Sequence, residues 1–247
     1  MNNIELENII NQKLAVASFQ DYAPNGLQVE GARQVKRIVT GVTASQKLLD
    51  AAVAHQADTL IVHHGYFWKN EPAAVRGIKR KRLKTLLLND INLYCYHLPL
   101  DAHPQLGNNA QLAQLFGIEV LGEVMPLVPY GDLPAAVSPD SMRQTIEQQL
   151  GRQVLHSAEG GPERIRRLAW CSGGGQGFIQ QAADFGVDAF ITGEVSEQTI
   201  HIAREMGLHF FAVGHHASER YGVKALGEWL AAEYGLEVSF IDIDNPA

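Results

Sequence analysis

Apolar residues recur at two spacings along this chain. Around residues 3–17, 45–55, 75–89 and 108–116 they fall at helical intervals, while Arg37-Ile-Val-Thr-Gly41, Thr59-Leu-Ile-Val62 and Ile91-Asn-Leu-Tyr-Cys-Tyr96 are short, largely apolar runs of strand character. Strands and helices in that alternation predict a βαβαβ series, and crossovers of that length predict parallel strands. Between the first helix and the first parallel strand, Asp21-Tyr-Ala-Pro-Asn25-Gly26-Leu-Gln28 reads as a turn leading into an extended segment. Proline and glycine concentrate from Met125-Pro to Ser138-Pro139. That predicts a domain junction, with one α/β domain over 1–125, a second over 126–247, and a new helix capped by Ser138 with Pro139 at its first position.

The second half repeats the first. Setting Asp188 on Asp58 aligns Arg167-Leu-Ala-Trp with Arg37-Ile-Val-Thr and Asp188-Ala-Phe-Ile-Thr with Asp58-Thr-Leu-Ile-Val. Gly193 and Glu194 then fall on His63 and His64. With a shorter offset His215 falls on His97 and Glu219 on Asp101, each pair in the form His-x-x-x-acid. Two βαβ chains can align by hydrophobic pattern alone, but the matching acids favour duplication. The expected fold is therefore α/β, with two similar three-layer α/β domains, mostly parallel sheets, and a metal site between the domains at the C-terminal ends of the strands.

The metal expectation comes from three histidine clusters that each follow a strand-like run. They are Val62-His63-His64-Gly65, Tyr96-His97 with Asp101, and Gly214-His215-His216 with Glu219. Imidazole and carboxylate together suit divalent ions. Side chains alternate along a strand, so adjacent His63 and His64 serve one centre only where the strand has ended, which Gly65 permits; otherwise they serve two ions, or an ion and its surroundings. His215 and Glu219 lie four apart on one face of a helix beginning near them, whereas Pro99 predicts a loop from His97 to Asp101. Five candidate ligands, His63, His64, Asp101, His215 and Glu219, exceed what one tetrahedral ion takes, and two ions about 3.5–4 Å apart could share a bridging carboxylate. His97 is the candidate catalytic residue: it could ligate, orient Asp101, or move a proton.

Other signals carry two readings each. His55, His156, His201 and His209 lack a strand-end setting and read as ordinary core or surface residues; His103 and His216 read as neighbours of the site. Ser172-Gly-Gly-Gly-Gln-Gly177 is a tight turn or an anion cradle, without the lysine of a phosphate loop. Thr192-Gly193-Glu194 ends a strand, so Glu194 lines the pocket or sits in a surface loop. Arg76, Lys79, Arg80, Lys81, Arg82 and Lys84 form a solvated helix face or a basic rim that attracts phosphorylated substrate.

Composition narrows the partners. A formal net charge of −7 opposes a general nucleic-acid binder, whose affinity comes from clustered Lys and Arg. Two cysteines, Cys95 and Cys171, exclude a disulfide framework and suit a reducing compartment. The acidic start Met-Asn-Asn-Ile-Glu-Leu-Glu lacks signal-peptide character and no run reaches spanning length, so a cytoplasmic protein without membrane partners is expected.

With Asn25-Gly-Leu-Gln28, His63-His64-Gly65, His97-Leu-Pro-Leu-Asp101, the 173–177 glycine loop, Thr192-Gly-Glu194 and Gly214-His-His-x-x-Ser-Glu219 in order, the chain resembles the type 2 GTP cyclohydrolase I-like family of dinuclear-metal toroid proteins. The resemblance runs over essentially the whole length. It implies two similar α/β domains, a homohexameric ring built as a trimer of dimers, and two divalent ions per subunit (Zn, Fe, Mn, Ni or Mg) on His63, His64, Asp101, His215 and Glu219. Some relatives carry a large insertion between the domains, for which the short 126–139 junction leaves no room. A metal-dependent hydrolase acting on a nucleotide or pterin-like small molecule is the expected function. A non-catalytic metal-binding scaffold or metal-handling ring is the rival, and a nucleic-acid-binding ring rests on the basic helix alone.

Overall fold

The computed structural model describes residues 1–247. In chain order the elements are α1 (Asn3–Lys13), β1 (Gly26–Val29), β2 (Arg37–Thr43), α2 (Gln46–Ala54), β3 (Thr59–His64), α3 (Gly77–Leu88), β4 (Asn92–Cys95), α4 (Leu98–Ala102), α5 (Asn108–Phe116) and β5 (Glu119–Met125). They continue with β6 (Val128–Val137), α6 (Pro139–Leu150), β7 (Leu155–Ser157), β8 (Ile165–Cys171), α7 (Ile179–Phe185), β9 (Ala189–Thr192), α8 (Glu197–Met206), β10 (His209–Ala212), α9 (His215–Tyr234) and β11 (Glu237–Phe240). No helix is long and apolar enough to cross a membrane.

The chain folds into two compact units, Met1–Gly107 with Arg220–Asp244, and Asn108–Glu219 with Asn245–Ala247. The first holds a sheet in the order β1-β4-β3-β2-β11, parallel except for β1 against β4. Its strands are apolar on both sides because both faces are covered. Ile38, Ile61 and Tyr94 pack with Leu6 and Ile10 of α1 and with Val223, Leu226 and Leu230 of α9. Their strand neighbours Val39, Leu60, Val62, Leu93 and Cys95 pack on the other face, with Leu48, Leu49 and Ala52 of α2 and Leu83 and Leu86 of α3. This alternation makes the three layers.

The second unit holds a sheet in the order β5-β6-β8-β9-β10-β7. Only β8, β9 and β10 run parallel; β5, β6 and β7 join antiparallel, so this sheet is mixed rather than mostly parallel. Ala169, Phe190 and Phe210 pack with Ile179 and Ala182 of α7 and Ala203 of α8. Trp170, one residue on from Ala169, is buried and donates its indole N–H to the Asn109 carbonyl in α5.

The predicted boundary near 125/126 is displaced. Pro126 and Leu127 connect β5 to β6 within one sheet, with Leu127 at φ 69° in the turn, so the proline and glycine there mark a hairpin inside the second unit. The first unit closes instead at Gly107 and regains residues 220–244, because β11 adds to β2 and α9 covers the sheet. Ser138 does cap α6, accepting from Ser141 N at 3.2 Å, with Pro139 in the first turn.

The repeat reappears in backbone chemistry. Asp58 Oδ2 accepts from the N–H groups of Lys36 and Arg37 at 2.8 and 3.0 Å, and Asp188 Oδ2 accepts from those of Arg166 and Arg167 at 2.8 Å. The carbonyls of the same two aspartates accept the first N–H of β4 (Asn92) and of β10 (His209). One carboxylate thus starts corresponding strands in both units.

Candidate metal centre

In the first unit the donors stand at the C-terminal ends of β3 and β4. β3 runs through His64, which pairs with Thr43, rather than ending before the histidines. Gly65 has no positive φ; it is required because a Cβ there would collide with Gln28 Oε1 and lie 2.7 Å from the Cβ of Cys95. His63 is fully buried and His64 half-buried, and their rings lie 4.5 Å apart between centroids. The His97 ring is 5.2 Å from His63 and 5.8 Å from His64. One donor atom from each of the three imidazoles lies within 4.8 Å of the others.

His97 and Asp101 do not lie in a loop. His97 precedes α4, with Pro99 in the first turn, where proline forfeits no helical hydrogen bond, and Asp101 N donates back to His97 O at 3.1 Å. The turn carries Asp101, 8 % exposed, to 3.5 Å from His63 Nε2. His97 and Asp101 thus share the helix-start spacing expected for His215 and Glu219.

In the second unit His215 and Glu219 open α9, with His215 Nε2 3.2 Å from Glu219 Oε2. His215 Nδ1 is 2.7 Å from Glu194 Oε1, and Gln176 Nε2 donates to Glu194 Oε2 at 3.0 Å. The hydrogen bond with Glu219 raises the His215 pKa most; burial opposes it, Glu194 adds to it, and the result is about 9. Glu194, the strand-end acid of uncertain placement in the sequence, therefore backs His215. The glycine loop after β8 is a tight support: Gly173 N donates to Ser218 Oγ and Gly175 N to Thr192 Oγ1, both at 2.9 Å. A Cβ on Gly173, at φ +63°, would collide with Glu219 Oε1 and stand 3.1 Å from His215 Nε2.

The donor set fits divalent ions on its own chemistry. Where Nδ1 faces an acceptor it carries a proton, and Nε2 is the nitrogen that could take an ion; Nε2 of His63 faces Asp101 at 3.5 Å and Nε2 of His215 faces Glu219 at 3.2 Å. His63 Nδ1 donates to Tyr96 O at 2.9 Å, His97 Nδ1 to Asp21 Oδ1 at 2.7 Å, and His215 Nδ1 to Glu194. His64 Nδ1 pairs with the Thr43 hydroxyl at 3.2 Å. Orienting partners of this kind typify imidazoles that bind metal through the opposite nitrogen.

The remaining histidines have structural partners. His103 Nδ1 accepts from Gln105 N and Leu106 N, His55 Nδ1 donates to Ala51 O, and His201 pairs with Glu197 one helical turn away. His209 Nε2 donates to Pro162 O, so its Nδ1 accepts from His156 Nε2 at 3.1 Å. His216 is buried, and its backbone N–H donates to Ala247 O. Arg76, just before α3, and Arg80, Lys81 and Lys84 on it are exposed, while Lys79 pairs with Glu71 and lies over the Phe67 ring. Thr43, Gln176 and Asp21 went unseen in sequence, since no spacing ties Asp21 to a histidine 76 residues away.

Fold and donor chemistry define a two-unit α/β protein with candidate divalent-metal ligands at the carboxyl ends of its strands. The chain belongs to the Duf34/NIF3 (NGG1p interacting factor 3) family, whose model matches residues 1–246. It is 69% identical, over the full length of both, to a Yersinia pestis protein named GTP cyclohydrolase 1 type 2 homolog. An Escherichia coli K12 protein of the same name is 65% identical, again over both full lengths. Among solved structures, TTHA1606 from Thermus thermophilus superposes with a TM-score of 0.93 at 35% identity, covering all of both chains.

Proposed function

We propose that this chain holds two divalent metal ions and uses them as a hydrolase on a nucleotide or pterin-like small molecule. The carrying observation is that His63 and His215 each donate Nδ1–H to a fixed acceptor while Nε2 faces the carboxylate of a second candidate ligand, Asp101 at 3.5 Å and Glu219 at 3.2 Å. The ligands we assign to the two ions are His63, His64, Asp101, His215 and Glu219. Such a pair of ions, whether Zn, Fe, Mn, Ni or Mg, supplies a hydroxide nucleophile near neutral pH. Glu194 and the Tyr96 carbonyl orient the ligand rings, and His97 handles protons. The nucleotide substrate is supported by the GTP in the name of the relatives at 69% and 65% identity, and the pterin-like one by the family resemblance of the sequence. A homohexamer, as a trimer of dimers, is the assembly expected from the family resemblance.

The test is a nucleotide panel offered to metal-loaded and chelated protein. Turnover confined to the loaded form supports the hydrolase reading; stoichiometric metal without turnover of any member supports a metal-handling ring instead. Glu219→Ala and His64→Ala are each expected to lower bound metal toward zero by elemental analysis while leaving the far-UV circular dichroism unchanged. Full metal content in either variant would exclude that residue as a ligand.

A further inference from the structure

We propose that Asp21 is a positioning residue: it fixes His97 in the Nδ1–H tautomer and so keeps a bare Nε2 in the ring cluster with His63 and His64. The chemistry is on both sides of the pair. Asp21 Oδ1 lies 2.7 Å from His97 Nδ1 and accepts from Tyr22 N at 2.6 Å, while Oδ2 accepts from Leu98 N and from Asn25 Nδ2, both at 2.9 Å. Its three partners besides His97 are all N–H donors, as an ionised, acceptor-only carboxylate requires, and such a partner at 2.7 Å places a proton on His97 Nδ1. The Asp21 side chain is 4 % exposed, which keeps water from competing for His97. Burial raises the Asp21 pKa, but hydrogen bonds from His97, Asn25 and Tyr22 overcome it and hold the carboxyl at about 2.

The backbone is gripped as well as the ring. Asn25 Oδ1 accepts from His97 N at 2.7 Å, so Asp21 and Asn25 clamp the amides of residues 97 and 98. Trp68 stands edge-on to the His97 ring at 5.0 Å and 86°, limiting its tilt. His63 is backed by a backbone carbonyl, whereas His97 is backed by a carboxylate, an acceptor that cannot offer a proton to Nδ1. On the hydrolase reading, on which only the purpose of the dyad rests, Nε2 accepts the proton shed by the attacking water while Asp21 keeps the ring in place.

The test uses metal-free full-length protein labelled with ¹⁵N-histidine, with His97 assigned by its loss in His97→Gln. Long-range ¹H–¹⁵N correlation is expected to show a protonated Nδ1 and a bare Nε2 at His97; a protonated Nε2 in the wild type overturns the proposal without any variant. In Asp21→Asn the carboxamide keeps Leu98 N and Asn25 with its oxygen and turns NH₂ toward Nδ1, so the tautomer ratio inverts. Asp21→Ala removes the preference, and an unchanged Nδ1–H signal in both variants overturns the proposal. Zn(II) added to the wild type is expected to shift His63 and His64 nitrogens and spare His97 Nε2; coordination at His97 overturns its assignment as a free base. If turnover is found, Asp21→Asn lowers kcat by roughly 10²–10⁴-fold with KM and metal content retained. The predicted tautomer in a protein that hydrolyses nothing removes the hydrolase reading alone.

Discussion

At position 173 a single methyl group would crowd two candidate ligands. The Cβ of Gly173→Ala would meet Glu219 Oε1 and crowd His215 Nε2, at a φ of +63° that already disfavours a side chain. This variant is expected to stay folded, lose about 1 kcal/mol of stability by denaturant titration, and bind less metal by elemental analysis. His156 sets a different dependence. Burial and the neighbouring His209 and Arg143 lower its pKa from 6.5 to about 4, with Asp140 opposing. The fold favours the neutral ring, so between those values the unfolded chain binds more protons, and stability drops as pH falls through the window. Melting temperature against pH is expected to decline less steeply there in His156→Gln than in the wild type. The candidate ligands were legible because histidine and acid followed strand-like runs; the roles of their partners Asp21, Thr43 and Gln176 were not, because polar residues in turns or at a strand end carry no spacing that points across the fold.

Strands and helices were legible where periodicity was strong, as in β2, β3, α2 and α5, and misread where proline and glycine admit two outcomes. Pro99 signalled a loop and instead sits in the first turn of α4, and the 125–139 stretch signalled a junction and instead makes the β5–β6 hairpin. The end of β3 has its own support. Cys95 Sγ accepts from Gly65 N and donates to His63 O, both at 3.2 Å, tying the last residues of β4 beneath the histidine pair. Burial pushes the Cys95 thiol up to about 12, so it resists alkylation in the native protein, as mass spectrometry after iodoacetamide would check. Cys95→Ala is expected to cost about 1–3 kcal/mol by losing packing and both hydrogen bonds.

At the scale of the whole molecule, the repeat was legible because Asp58 and Asp188 start corresponding strands in the same way. The interleaving was not, since β11 adds to a sheet whose neighbouring strand, β2, lies some 200 residues earlier in the chain, as the Arg37–Glu237 ion pair marks. The hexamer expected from the family resemblance is checked by sedimentation equilibrium, where a monomer would exclude it.

The return of residues 220–244 to the first unit bears on how the protein is made. A nascent chain usually completes its amino-terminal domain first. Here the early half must wait on the ribosome for α9 and β11, while Asn108–Glu219 is local enough to fold before it. Pulse proteolysis of stalled nascent chains should find the middle of the polypeptide protected earlier than its beginning.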